Sequence, residues 1–490
     1  MNRFDDLPIS KAARIDAEVI RIFEYLGIRQ ELEDLLHPLT GTKIVDAADH
    51  VLFELKHAET EDCAPMYGFY QPDLQLLLQR QLEKVRGNLL HYYEYHKAEA
   101  IEKVEHGINL HLHSLEADSY FQIQTRFLLA CNGQESLIPM QFGLEYYYYD
   151  EIGYSLNVDT ETKESVDMPR FARTICGTEL PVTAVGDSEH HQRWEFQLSP
   201  EMVTEVNTPE RIRNLLEQHL HQPFEVHNTF IHRYESKVLN KWQSHRIFIA
   251  GDAAHMMPSF LGLALSAGIK DVHNLLWKIA MVCERTVTGQ VLDYYQGERE
   301  SNVLHLIRLN LAVKKLLKAR WFRWVRRLLP MVPNALLRRT LHIETIVKYG
   351  LVGIVHPMRG RFVPHVTLRN LKGQENTIDA LLGDDFVCIA MGENPVDAIK
   401  PKELEYLAKL GIRFIKVLPQ KATFLPEARY ADLLYDVNGS LEKWCLKKKA
   451  KYILLRPDRI IFDAANNERQ LLRLLRLLER KLPLRELIDQ

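Results

Sequence analysis

The chain has 490 residues, and at roughly 150 residues per domain that length makes room for about three domains with cores of their own. Hydrophobic residues make up 46% and charged residues 26%, and Lys+Arg 62 against Asp+Glu 65 leaves a net charge of −3. This balance excludes wholesale disorder and collagen-like or coiled-coil architecture, and it gives the protein as a whole no electrostatic reason to seek nucleic acid.

The six cysteines, at 63, 131, 176, 283, 388 and 445, never stand at the C-x-x-C spacing of metal or dithiol redox sites, so they read as scattered reduced thiols of a cytoplasmic protein. The start, Met-Asn-Arg-Phe-Asp-Asp, has no apolar signal core, and no apolar run approaches the 18 or so residues of a membrane span.

Taken in chain order, residues 12–27 place Ile15, Val19, Ile22, Phe23 and Leu26 at helical spacing, with Gly27 as the stop. A second helix is expected after Tyr70-Gln71-Pro72, with Pro72 in the first turn and Leu74, Leu77 and Leu78 on its apolar face. Residues 101–113 and 119–131 read as two strands. Strand and helix alternating in this way favour an α/β domain.

Between Gly143 and Tyr234 the texture changes to short polar and aromatic strands, interrupted by one helix that opens at Thr208-Pro209-Glu210. An inserted β-rich domain is expected there. Arg246-Ile247-Phe248-Ile249-Ala250 then returns to a fully apolar strand, and helical spacing resumes from Gly268 to Cys283.

Residues 303–342 form a long helical stretch that carries nine Lys/Arg and no acid between Lys314 and Arg339. Interleaved with Trp321, Phe322 and Trp324, it could lie on an anionic membrane surface. The plainer alternative is a connecting helix whose apolar side packs on the body while its cations stay solvated. From about residue 350 a separate small α/β unit is expected, with buried strands at Phe386–Ala390 and Tyr452–Leu455 and a Leu/Arg helix over 468–480.

The sharpest local signal is Arg246 to Ala280, RIFIAGDAAHMMPSFLGLALSAGIKDVHNLLWKIA. An apolar strand ends in Gly251, which permits a tight turn, and Asp252 follows at the carboxyl edge of a sheet, where ligands of open α/β sheets bind. A carboxylate there accepts hydrogen bonds from sugar or ribityl hydroxyls. The helix starting near Gly262–Ser266 directs unpaired N–H groups at the same place. Standing alone, Gly-Asp would more readily be a strand–turn–helix with Asp as its cap.

The stretch closely resembles the second FAD-binding motif of the para-hydroxybenzoate-hydroxylase-like flavoprotein monooxygenases, down to Asp271-Val272-His273-Asn274-Leu275-Leu276-Trp277-Lys278. Phe69-Tyr70-Gln71-Pro72-Asp73-Leu74, Arg193-Trp194-Glu195-Phe196 and Leu292 through Arg299 resemble further family segments in the same order. Asp436-Val437-Asn438-Gly439, Trp444 and Leu455-Arg456-Pro457-Asp458 resemble the thioredoxin-like end of the 3-(3-hydroxyphenyl)propionate hydroxylase type.

The resemblance implies an α/β fold: a glutathione-reductase-like, Rossmann-type FAD-binding domain (1–40, 71–143 and 241–345), an inserted β-rich substrate domain (41–70 and 144–240), and a thioredoxin-like C-terminal domain (350–490). It implies FAD as cofactor, NAD(P)H as co-substrate, and insertion of one oxygen atom into a small aromatic, phenolic substrate. The FAD contacts would be Lys11, Gln71, Gly251, Asp252, Pro258, Gly262, Leu263 and Ala264. Among these, Asp252 would meet ribose or ribityl hydroxyls, Gln71 the ribityl side, and Pro258 with Gly262-Leu263-Ala264 the isoalloxazine. No catalytic base is assigned. A homodimer and peripheral membrane contact through 314–339 are further expectations about partners.

The sequence departs from the family in four places. The opening strand with G-x-G-x-x-G has no counterpart before residue 12, which suggests that this unit lies upstream of Met1. The family's P-R-A is Ser10-Lys11-Ala12, so an arginine fork becomes a lysine. The C-D-G-x-x-S motif reads Cys131-Asn132-Gly133-Gln134-Glu135-Ser136, and G-x-G-x-N reads Gly262-Leu263-Ala264-Leu265-Ser266. The alternative to a working monooxygenase is a degenerate flavoprotein fold that binds a ligand, a protein partner or a membrane surface without catalysis.

Overall fold

The computed structural model describes residues 11–56, 66–85, 89–163, 171–186, 190–284, 286–318, 343–419 and 432–485. By internal contact the chain divides into two units. One comprises Met1–Ile20, Ile28–Ile269 and His305–Ile343, and the other Arg21–Gly27, Lys270–Leu304 and Glu344–Gln490.

In the first unit the apolar strand Ile247–Ile249 is fully buried and runs parallel to Leu128–Ala130, with Gln243–Ser244 on its other side. A three-stranded meander of His96–Val104, Gly107–Ser114 and Ser119–Thr125 accompanies it. The expected single strands over 101–113 and 119–131 are therefore each broken. Glu105-His106 forms a two-residue hairpin turn between Val104 and Gly107, and Gly107 is required because a Cβ there would lie 2.4 Å from the Thr125 carbonyl oxygen. Arg126 and Phe127 then separate the meander from the parallel pair.

The stretch expected to be helical from residue 12 instead begins with the strand Arg14–Asp16, paired antiparallel with Met66–Gly68. Helix follows only over Ala17–Tyr25, and Gly27 stops it at φ +75. Asp16 turns the one into the other, because its Oδ1 accepts the Val19 N–H at 3.2 Å and so acts as an N-cap. The helix after Tyr70 is observed over Gln71–Lys84 with Pro72 in its first turn, as its spacing predicts.

The β-rich insertion is a seven-stranded sheet in the order Phe224–Tyr234, Gly153–Thr162, His191–Leu198, Val182–Gly186, Phe171–Cys176, Gly41–Asp46, Val51–Lys56. Its strands alternate with period two. Leu156, Val158, Val182, Trp194 and Phe196 point one way, into a core closed by Ile212, Leu215 and Leu216 of the helix Pro209–Glu217. At about 1.5–3 kcal/mol per fully buried large apolar side chain, this face anchors the sheet. Thr208 caps the helix by accepting the Arg211 N–H at 3.3 Å. The opposite face carries polar residues and forms part of the site described below.

The second unit holds another seven-stranded sheet, ordered Glu375–Thr377, Thr367–Asn370, Asp432–Asp436, Arg413–Leu418, Val387–Met391, Tyr452–Leu455, Ile461–Ala465. Its middle strands Asp432–Asp436, Arg413–Leu418 and Val387–Met391 run parallel, while Tyr452–Leu455 and Ile461–Ala465 are antiparallel. With the helices Pro401–Leu410, Ser440–Lys448 and Glu468–Lys481, this is a mixed α/β unit, as expected from about residue 350. Asn467 caps the last helix through the Gln470 N–H at 3.0 Å, and Leu471, Leu474, Leu475 and Leu478 form its buried stripe.

The helix Tyr294–Lys318 contains the start of the basic stretch, where Lys314 is paired with Asp150. The remainder of the proposed membrane-surface segment, 319–339, lies outside the described residues. Among the described residues, no helix is long and apolar enough to cross a membrane.

Candidate functional site

The site begins where two parallel strands end. Leu128–Ala130 and Ile247–Ile249 run into the short turns Gly133–Glu135 and Gly251–Ala253, which pack against each other. Gly251 turns at φ +61, a conformation that costs other residues about 1–2 kcal/mol. Its Cα also lies where a Cβ on Gly268 would approach to 3.2 Å. The two glycines let the turn and the following helix meet closely. Asp252 projects from this turn into solvent, while Ala253 and Ala254 are buried. The Tyr146 hydroxyl fixes the turn by donating to the Ala253 carbonyl at 2.8 Å.

A second wall is the loop into the helix Ala264–Cys283. Pro258 is buried, Gly262 adopts φ +62, and the Leu261 N–H donates to Asn310 Oδ1 at 3.1 Å. Arg14 lies against this loop. It is 2% exposed, its Nη2 donates to the Phe260 carbonyl at 3.3 Å, and a Cβ on Gly262 would stand 2.6 Å from its Nε. Gly262 is thus required twice, for its backbone angle and for the space the guanidinium fills. Ser266, where the family pattern has Asn, accepts the Asp16 N–H at 3.2 Å and holds the Arg14–Asp16 strand to the start of this helix.

The third wall is the polar face of the seven-stranded sheet. Cross-strand register sets Ser155 opposite Gln197 and His232, Asn157 opposite Glu195 and Phe230, and Asp159 opposite Arg193. An antiparallel sheet commonly turns its polar face to water, but here Ser155, Asn157, Asp159, Arg193 and Glu195 are at most 3% exposed. Arg193 is held by Asp159 through Nε at 2.5 Å and Nη2 at 2.8 Å. Ser155 Oγ, both amide atoms of Asn157, Arg193 Nη1, Glu195 Oε2, Gln197 Nε2 and His232 Nδ1 are buried without a protein partner. Buried polar atoms are nearly always bonded, and their concentration on one face marks it as a surface built for a polar ligand.

Burial sets the protonation of this face. It pushes the Glu195 carboxyl upward, against the pull of Arg14 and Arg193 and with a further push from Asp159. It lowers His232, helped by Lys11 and Arg193 and opposed by Asp252, so the imidazole is neutral near pH 7. The Tyr234 phenol, which donates to Gln197 Oε1 at 3.0 Å, is pushed up to about 12 by burial and then by Asp150 and Glu195. Its ring meets Phe260 edge-on at 6.4 Å.

Of the residues expected from sequence, Gly251 and Asp252 stand at the strand end, and Pro258, Gly262, Leu263 and Ala264 form one continuous loop into the helix. Lys11 and Gln71 come together through the backbone, since Gln71 Oε1 accepts the N–H of Lys11 at 2.7 Å and of Ala12 at 2.8 Å. That oxygen therefore holds the chain leading to Arg14. Arg14, Ser155, Asn157, Asp159, Glu195, Gln197 and His232 were not singled out from sequence as site residues. Ser155, Asn157, Asp159 and Gln197 carried only strict polar alternation, Ser155-x-Asn157-x-Asp159 and Arg193-x-Glu195-x-Gln197, which is also how a solvated strand face reads; Glu195 lay in the family-like Arg193–Phe196 segment, but with no role assigned, and Arg14 and His232 carried no signal.

Residues 2–309 match the family described as FAD binding domain, and residues 360–481 match the HcaD C-terminal domain. The 3-(3-hydroxy-phenyl)propionate/3-hydroxycinnamic acid hydroxylase of Shigella sonnei (strain Ss046) is 23% identical over 95% of this chain and 86% of its own length. The protein of that name from Escherichia coli O8 (strain IAI1) is likewise 23% identical, with the same coverage. Among solved structures, the flavin-dependent monooxygenase PieE in complex with FAD and substrate superposes with a TM-score of 0.75 at 16% identity, over 96% of this chain and 92% of the other. Aklavinone-11 hydroxylase with FAD and aklavinone gives a TM-score of 0.73 at 18% identity, over 97% and 93%.

Proposed function

The chain belongs to the FAD binding domain family, and from that premise we propose that it is a FAD-dependent monooxygenase that uses NAD(P)H to hydroxylate a small phenolic ring. The similar curated proteins are named as 3-(3-hydroxy-phenyl)propionate/3-hydroxycinnamic acid hydroxylases, and the similar structures include one complex with FAD and substrate and one with FAD and aklavinone. The observation that carries the reading is the meeting of a glycine-turned loop, Pro258 to Ala264, with the seven-stranded sheet, where Phe260 lies edge-on to Tyr234 and Tyr234 donates to Gln197 on the buried polar face.

The residues present fit the flavin half of FAD. Asp252, exposed at a strand's carboxyl edge, offers acceptors for ribityl or ribose hydroxyls. The positive φ of Gly262 would present backbone rather than side chain to a flavin ring, and the first N–H groups of the helix Ala264–Cys283 would favour an electron-rich group there. FAD, when bound, supplies the redox and oxygen chemistry. The chain supplies position and dryness. Pro258 and Leu263 contribute apolar cover, Lys11 a nearby cation, and the sheet face hydrogen bonds that orient the ring substrate.

The purified protein is expected to be yellow or to become so with added FAD. A phenolic acid should then stimulate NAD(P)H oxidation and appear as a product one oxygen heavier by mass spectrometry. Absence of flavin absorbance under saturating FAD would overturn the reading. So would NAD(P)H oxidation that only produces hydrogen peroxide with every phenol, hydroxybenzoate and hydroxyphenylpropionate supplied.

A further inference from the structure

The second unit contains a cavity of about 440 Å³, a volume in the range of small-molecule sites. It opens at the carboxyl edge of the sheet. Met391 and Gly392 end the strand Val387–Met391, Pro419 follows Arg413–Leu418, and Lys451 leads into Tyr452–Leu455, while the helix Ser440–Lys448 closes one side with Cys445 and Leu446. From Val387–Met391 the chain passes to Arg413–Leu418 on one side and later returns to Tyr452–Leu455 on the other. The crevice beside such a reversal is where open α/β sheets hold ligands.

The floor is aliphatic and sulfur-bearing. Met391, Pro419, Cys445 and Ala450 line it together with Leu446, which is 72% exposed at the mouth. Among the described lining residues none is aromatic. Such a floor offers a flexible chain adaptable contacts and offers a ring no stacking partner. The backbone at the mouth is already bonded, because the Met391 N–H donates to the Lys451 carbonyl at 3.1 Å and the Gly392 N–H to the Val417 carbonyl at 2.8 Å. Polar recognition therefore falls to side chains.

Those side chains are mostly cations: residues 442–451 hold five Lys and one Glu. Lys451 is paired with Glu393 at 2.7 Å, but the Lys449 ammonium has no partner among the described residues. Lys449 also stands at φ +57 as the cap of the helix, a left-handed position that glycine occupies without strain. Cations are favoured at a helix C-terminus, yet Lys447 and Lys448 already occupy the last turn. The Lys448 carbonyl accepts His356 Nε2–H at 2.9 Å, with Nδ1 taken by the Met358 N–H at 3.2 Å. The helix end thus has no need of a lysine at 449, and a side chain held at a strained position over a cavity points to a use there. Glu442, about two helical turns earlier, lines the other end and repels an anion from it.

We propose that this cavity binds an amphiphilic anion, with an aliphatic chain along Met391, Cys445 and Leu446 and its terminal carboxylate or phosphate at Lys449. A free fatty acid and the acyl and head groups of an acidic lipid share that chemistry. The site lies wholly within the second unit and stands whether or not the chain hydroxylates phenols.

The test is calorimetric titration of the full chain with decanoate, with decyltrimethylammonium and with acetate. One decanoate per chain should bind, about tenfold or more tighter than the cation of the same chain length, and acetate should not saturate. Lys449→Gly removes the ammonium and relieves the backbone, so it should weaken decanoate by about threefold or more while raising the thermal midpoint. Leu446→Asp, at an exposed position that the fold tolerates, should abolish decanoate binding. Flotation with phosphatidylglycerol vesicles, absent with phosphatidylcholine and lost in both variants, names a membrane lipid as the source; decanoate binding without flotation names a free acid.

Equal binding of the anion and the cation overturns the proposal, as does acetate binding as tightly as decanoate. Decanoate affinity that survives both variants places the ligand elsewhere and overturns it too. So does a Lys449→Gly protein that loses thermal stability along with binding, since the lysine would then be structural. Neither saturable decanoate binding nor flotation on phosphatidylglycerol leaves the cavity without this ligand.

Discussion

Arg456 closes Nη1 and Nη2 on the two carboxylate oxygens of Glu298, at 2.9 and 2.8 Å, with both side chains fully buried. Lys278 Nζ at 2.9 Å and Asn274 Nδ2 at 2.7 Å also reach Glu298 Oε2, and the Leu351 N–H donates to Oε1 at 2.7 Å. Asp458 takes the other side of Arg456, at 3.0 Å from Nε and 2.5 Å from Nη2, and accepts the Trp277 indole N–H at 3.2 Å. A buried network so fully bonded is destabilised when one charge is removed, by about 3–5 kcal/mol. Glu298→Gln is therefore expected to lower the unfolding transition of the second unit by that amount in urea denaturation. A change below about 1 kcal/mol would mean that the network contributes nothing to stability.

The same carboxylate carries a pH signature. Burial alone would raise its pKa, but Arg456 and Lys278, with hydrogen bonds from Arg456 and Asn274, outweigh burial and hold it down to about 2. A folded pKa below the unfolded value of roughly 4.3 contributes stability that is present above that value and is lost as pH falls toward the folded one. Stability measured between about pH 4.5 and 2 should fall more steeply in the parent than in Glu298→Gln. Parallel curves would refute the assignment.

Gly262→Ala is expected to damage the site in two separable ways. The alanine must adopt φ +62, at a cost of about 1–2 kcal/mol, and its Cβ would press on Arg14 Nε at 2.6 Å. FAD affinity, followed by flavin fluorescence, should drop together with thermal stability. In the double variant with Arg14→Gly the crowding is relieved but the backbone cost stays, so it should recover part of the stability and not all of it. Strict additivity of the two changes would show that Arg14 does not fill that space.

The lone segments of this chain were legible because each couples period to punctuation. Ile247–Ile249 is an apolar strand closed by Gly251, and Gln71–Lys84 opens on Pro72. Three motifs recognised separately in the sequence, around Asn274 and Lys278, Glu298, and Arg456 and Asp458, turn out to be one hydrogen-bonded network. What could not be read was which polar surface is buried. Ser155, Asn157 and Asp159 alternate like any solvated strand, and only the third dimension buries them and sets Phe260 against Tyr234 of the same sheet. Residues 14–16 misled for a related reason: helical spacing continues back from Val19, but pairing with Met66–Gly68 overrides local preference and makes them a strand.

Asp252→Ala separates ligand binding from folding. The side chain is exposed at the end of the buried strand, so its removal should leave stability within about 0.5 kcal/mol. A carboxylate accepting hydroxyl hydrogen bonds contributes about 1.5–3 kcal/mol, so FAD should bind roughly 10- to 100-fold more weakly. Undiminished FAD affinity in a flavin fluorescence titration would remove Asp252 from the cofactor site.

The C-terminal α/β unit should show no thiol chemistry. Its Cys388 and Cys445 are buried, Cys388 on the strand Val387–Met391 and Cys445 in the helix Ser440–Lys448. Burial pushes both thiols up to about 12, with Asp436 and Glu442 adding to the effect on Cys445. Because the thiolate is the nucleophile, almost none is present at pH 8. Iodoacetamide applied to the native protein should modify exposed Cys131 and leave Cys388 and Cys445 unlabelled until denaturant is added, as read by peptide mass spectrometry. Insulin disulfides should not be reduced. Native-state labelling of Cys388 or Cys445 at the rate of Cys131 would show that the unit opens readily and would reopen a redox role for it.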